Sequence, residues 1–97
     1  MDTDFDQLLD QLADMHVFLD VDLSDFPILA RYSSVQSARN LVFEATDAVG
    51  RAQSAPGDAL LEKRAHQAFR YAREAVKKAS GVVTLVRIRD KLRDKLR

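Results

Sequence analysis

Few side chains in this chain have the types and spacing for chemistry. The histidines are His16 and His66, and there is no cysteine. Glu62 and His66 stand four apart and can offer two ligands from one helical face, but a zinc site takes three or four. Both histidines therefore read as surface or boundary packing. The run from Asp20 to Asp25 opens like a calcium loop, with Asp20, Asp22 and Ser24 at alternating positions. Asp25 stands where the sharp-turn glycine belongs, however, and Arg31 where the bidentate glutamate belongs. These aspartates read as solvated and capping. No glycine-rich phosphate loop is present, and no strand-turn-helix context supports a Ser-His-Asp grouping. The chain is expected to be no enzyme, with no cofactor, no metal and no small-molecule substrate.

The basic residues carry more. Arg70, Arg73, Lys77 and Lys78 mark the polar side of one helical segment. Arg87, Arg89, Lys91, Arg93, Lys95 and Arg97 crowd the tail, interrupted only by Asp90 and Asp94. Clustered Lys and Arg are the electrostatic footprint of phosphate binding, so these ten form the candidate surface for nucleic acid or an acidic partner. Two plainer readings stay open. The charges can be a solvated face laced by pairs such as Asp90–Arg93 and Asp94–Arg97, or they can be neutralised by acids elsewhere in the chain. Near them only Tyr71 and Phe69 can stack on bases, and Phe69 suits a core better. Binding would then be directed at the backbone and low in sequence specificity.

Acids for such neutralisation exist. Residues 1–30 hold eight aspartates (Asp2, Asp4, Asp6, Asp10, Asp14, Asp20, Asp22, Asp25) and no Lys or Arg, a charge of −8; residues 31–97 hold fifteen basic residues and seven acids, a charge of +8. The net charge of zero hides this split, which points to an acidic and a basic face with different partners or to internal neutralisation.

The elements that position these groups are helices. Glycine is 3 and proline 2 of 97 residues, while alanine, leucine and charged residues abound, a helix-forming composition of single-domain size. Phe5, Leu8, Leu9, Leu12, Met15, His16 and Leu19 recur at steps of three and four and predict a first helix over about 4–19. "DVDLSDFP" then breaks the pattern: Ser24 or Asp25 can cap the next helix, and Pro27 is tolerated in its first turn. Tyr32, Val35, Ala38, Val42, Ala45, Val49 and Ala52 form a seam close to a heptad, predicting a helix over 27–54. Pro56 and Gly57 stop it, and Asp58 can cap a third helix over 58–80, with Leu61, Ala65, Ala68, Ala72, Ala75 and Ala79 on one side. After Gly81 a fourth helix over 82–96 is expected through Leu85, Ile88 or Arg89, Leu92 and Leu96. It can also continue the third through Gly81, at about 1 kcal/mol relative to alanine. The fold expected is all-α, a small antiparallel up-down bundle of three to four helices in one domain over 1–97. The N-terminus has neither the basic nor the apolar region of a secretory signal, and no apolar run approaches a membrane span. A cytoplasmic protein without a membrane partner is expected.

Phe26-Pro27, three residues, then Arg31-Tyr32, with Arg39 seven residues further on, resembles the start of the second helix in a family of small four-helix-bundle proteins. That family includes proteins encoded by intervening sequences in bacterial large ribosomal RNA genes and the accessory variability determinant (Avd) proteins of diversity-generating retroelements. The similarity covers roughly residues 5–85. The Asn-Ile-Ala-Glu-Gly block of the intervening-sequence branch is replaced by Asn40-Leu-Val-Phe-Glu44, and the acidic N-terminal third differs from the basic Avd proteins. The resemblance implies a bundle that self-associates into a homo-oligomer and, for the Avd branch, binds a reverse transcriptase and RNA or DNA. It implies no catalytic residues.

Overall fold

The structure is a computed structural model describing residues 5–96; Asp2, Asp4 and Arg97, which figure in the charge reading, lie outside the described residues. Three helices account for nearly all of it: α1 (Phe5–Asp25), α2 (Ser33–Ser54) and α3 (Ala59–Lys95), with a short 3-10 turn over Pro27–Arg31 between the first two. No strand occurs among the described residues.

α1 runs more than a turn past its expected end. "DVDLSD" is helix, not loop. Leu19, Asp22 and Leu23 continue the stripe begun by Leu12 and Met15, and Asp22 is admitted to that stripe because Arg87 reaches its carboxylate. Ser24 and Asp25 lie inside α1 and so do not cap the next element. The Phe26 N–H donates to the Asp22 carbonyl at 2.8 Å, closing α1. Phe26 itself sits at the N-cap position of the 3-10 turn without a side-chain cap, and Pro27 comes directly after it. The helix expected over 27–54 is thus split, with Tyr32 extended (φ −82°, ψ 125°) between the 3-10 turn and α2. Pro27 has no N–H to lose in that first turn, and the tight reversal buries Leu29 completely.

The α2 seam packs on α3, the most extensive contact in the molecule. Ala38, Ala45 and Ala52 on α2 and Ala65, Ala72 and Ala79 on α3 are fully buried. Between them stand Val35, Val42 and Val49 on one helix and Phe69 and Val83 on the other. Small residues bring the two backbones close, and the larger ones fill the layers between. Gly57 takes the positive φ (87°) that the connecting turn requires. Asp58 caps α3 by accepting the Leu60 and Leu61 N–H groups, each at 3.1 Å. Against this pair lies α1. Its Asp6 accepts from Gln53 near the end of α2, and its His16 ring meets Phe43 edge-on at 4.7 Å. Its Phe5 stands 6.0 Å from His66, and its Asp22 reaches Arg87. α1 therefore runs against α2 and alongside α3.

The segments expected as third and fourth helices form one helix of 37 residues. Gly81 is exposed within it, and a methyl group there would meet no other atom within 4 Å. The residue only weakens the helix and does not end it. Gly81→Ala is expected to raise stability by about 1 kcal/mol, checked by urea unfolding. A loss of stability would mean that a bend at this position matters. A helix of that length is about 55 Å long and accounts for most of the 60 Å long dimension of the molecule. α3 consequently outruns α2, and from Arg87 to Leu96 every residue is exposed.

Candidate functional site

α3 carries all the basic residues of the chain except Arg31, Arg39 and Arg51, together with Arg97 beyond it. With about 100° of rotation per residue, its charges sort into two flanks. Arg73, Lys77, Arg87, Lys91 and Lys95 line one flank over about 33 Å of helix. Lys78, Arg89 and Arg93 line the other, and Arg70 stands between them on the outer side. Arg70, Arg73, Lys77, Lys78, Arg89, Lys91, Arg93 and Lys95 are all exposed. Among the described residues none of them makes an ion pair. Asp90 does not pair with Arg93. Lys63 and Arg64, also exposed, carry the positive surface towards the start of α3. They form an adjacent basic pair visible in the sequence, outside the ten candidates.

Arg87 is different. Its Nη2 donates to Asp22 Oδ1 at 2.6 Å, and the Asp22 side chain is 2% exposed against 47% for Arg87. This is the one ion pair joining α1 to α3 among the described residues. Among the described residues, ion pairing between the N-terminal aspartates and α3 is therefore confined to a single clasp, and Arg87 serves the fold. A charge reversal there would be read in stability before it was read in binding. The second carboxylate oxygen of Asp22 is buried without a hydrogen-bond partner among the described residues, as is Arg39 Nε. Arg39 is half-buried and Arg31 exposed, while Phe26 and Tyr32 are half-buried beside the core.

The remaining candidates for chemistry stay dispersed. His16 contacts Asp20 at 3.5 Å within α1 and packs on Phe43, whereas His66 lies on α3 against Phe5. No group of three or more His, Cys, Asp or Glu able to hold a metal occurs among the described residues. Tyr71 is half exposed and accepts from Gln67 through its hydroxyl at 3.1 Å, while Phe69 is core. Tyr71, Lys78 and Glu74 face Ser33, Ser34 and Ser37 across an open groove of about 420 Å³.

Leu85, Ile88, Leu92 and Leu96, whose spacing indicates helix over this stretch, are 68%, 50%, 55% and 88% exposed. The core face of this stretch is formed by Val83 and Val86, on the opposite side of the helix. Periodicity gives the presence of a stripe and not the partner it faces. No family model, curated protein or solved structure matches the chain. No helix among the described residues is long and apolar enough to cross a membrane.

Proposed function

We propose that this chain is a non-enzymatic accessory protein, a small up-down helical bundle that self-associates and uses the basic flanks of α3 to hold nucleic acid or a polymerase partner. The observation that supports the reading is the set of exposed basic residues along α3 without ion pairs among the described residues. Charges left without internal partners are available to phosphates, whose contact releases condensed counterions. Reverse transcriptase as the polymerase rests only on the resemblance at Phe26-Pro27 and Arg31-Tyr32, while cytoplasmic residence is proposed from the cysteine-free composition. Mixed-sequence RNA titrated at 50 and 200 mM salt is expected to lose at least about a hundredfold in affinity. Glutamate at Arg89, Lys91 and Lys95 together should weaken binding at low salt while the thermal midpoint holds. Absence of binding at 50 mM salt would sink the nucleic-acid reading. A protein-only adaptor or small co-chaperone that binds no nucleic acid is the second reading, favoured by the exposed apolar strip Leu85, Ile88, Leu92 and Leu96. Recovery of one protein partner by a chain that ignores RNA would establish it.

A further inference from the structure

The two ends of the charge split each carry an uncovered apolar surface. On the C-terminal third of α3, Leu85, Ile88, Leu92 and Leu96 form a strip of about three helical turns on the side away from Val83 and Val86. Arg89 and Arg93 flank it. On α1, Val17, Phe18 and Val21 are exposed. They lie opposite the buried Leu12 and Leu19, with Asp10, Asp14 and Asp25 on the same outer side and no Lys or Arg in the helix. Four large aliphatic side chains on one side of a solvated helix require a cover. Nucleic acid does not supply one, because phosphates satisfy the flanks and leave the strip wet. Pairing of the strip with its own copy would oppose Arg89, Lys91, Arg93 and Lys95 to the same cations. The outer face of α1 offers the opposite charge and an apolar centre.

We infer that the C-terminal third of α3 docks on the outer face of α1 of a second copy, a head-to-tail contact between unlike surfaces. Leu85, Ile88 and Leu92 are spared by the core of their own chain, and they cover Val17, Phe18 and Val21 of the neighbour. Arg89 and Arg93 then approach the neighbour's Asp10, Asp14 and Asp25. A contact between unlike faces leaves a free face at each end of the assembly and repeats until it closes or runs out of chains. The inference rests on the self-association part of the proposed function; it takes up Arg89 and Arg93 and leaves the flank of Arg73, Lys77, Lys91 and Lys95 for nucleic acid.

Light scattering on the full chain, with Leu92→Glu and Val21→Glu, tests it. The wild-type mass should exceed 10.9 kDa and rise with concentration. Each variant, blocked on one face, should raise the dissociation constant at least about tenfold and run as a monomer. Mixing the two should produce a heterodimer and nothing larger, because one good face remains on each. Circular dichroism confirms folding; should either glutamate lower helix content, Arg89→Glu with Arg93→Glu and Asp10→Lys with Asp14→Lys replace the pair, each running as a monomer alone, while their mixture, in which opposite charges meet at both contacts, should regain the wild-type mass. A strictly monomeric wild type overturns both this contact and self-association. Wild-type assembly that survives either glutamate, or a mixture that stays monomeric, overturns this contact alone. Loss of assembly in Leu92→Glu but not in Val21→Glu also overturns it, in favour of pairing of the strip with itself.

Discussion

Arg87→Ala is expected to lower the unfolding free energy by about 3 kcal/mol, because it strands the Asp22 carboxylate in the core without its cation. Asp22 is 1% exposed, and its second oxygen already lacks a partner among the described residues. Removal of Arg87 leaves both oxygens without one. The reverse change is expected to be milder. In Asp22→Asn the amide is neutral and isosteric, and Arg87, nearly half exposed, turns to water; the cost should be about 1 kcal/mol. The double variant should recover part of the loss in Arg87→Ala, giving a coupling free energy from the cycle. Urea unfolding of the three variants measures all of this. Equal costs for the two single changes would show that the carboxylate gains its stability elsewhere. A domain of this size has about 5–15 kcal/mol in total, so about 3 kcal/mol corresponds to a fall of roughly 15 °C in midpoint.

The clasp also bears on function. The C-terminal third of α3 is exposed from Arg87 onward, and Asp22–Arg87 ties its root to α1. A variant that reverses Arg87 together with Arg89 and Lys91 would mix a folding defect with a binding defect. The informative set is Arg89, Lys91 and Lys95, which make no ion pairs among the described residues.

Leu12→Ala should cost about 3 kcal/mol, from lost burial and the cavity left between α1 and the α2–α3 pair. Leu12 is completely buried and lies at the centre of the α1 stripe with Leu19. Leu96→Ala, which removes the same atoms from an 88% exposed position, should change stability by less than about 0.5 kcal/mol. Chemical denaturation of the two side by side separates packing from hydrophobicity as such. A cost below about 1 kcal/mol for Leu12→Ala, well under the range for a buried leucine, would mean that α1 is held loosely. The long helical hairpin of α2 and α3 would then be the stable unit.

Helical class was present in the sequence by itself, as was most of the seam. Val35, Ala38, Val42, Ala45, Val49 and Ala52 recur at a period that admits no other regular structure, and all six are buried. The Pro56-Gly57-Asp58 stop and start is equally local, because a proline, a positive φ and a capping carboxylate act within a few residues. The end of α1 was not local. "DVDLSD" has poor helix formers and loop-like aspartates, and it becomes helical because a guanidinium 65 positions later meets Asp22. Gly81 carried a penalty of about 1 kcal/mol and no more, so whether α3 broke there depended on Val83 and Val86 being drawn into the core beyond it. The basic cluster was plain in composition, but which cation was already engaged was not, since an ion pair between distant residues leaves no trace in spacing. The strip Leu85, Ile88, Leu92 and Leu96 makes the same point most sharply. Spacing determined that these four share one side of a helix. Only tertiary structure decided that this side faces away from the core, because the direction of a stripe is set by the neighbours that the rest of the chain brings to it.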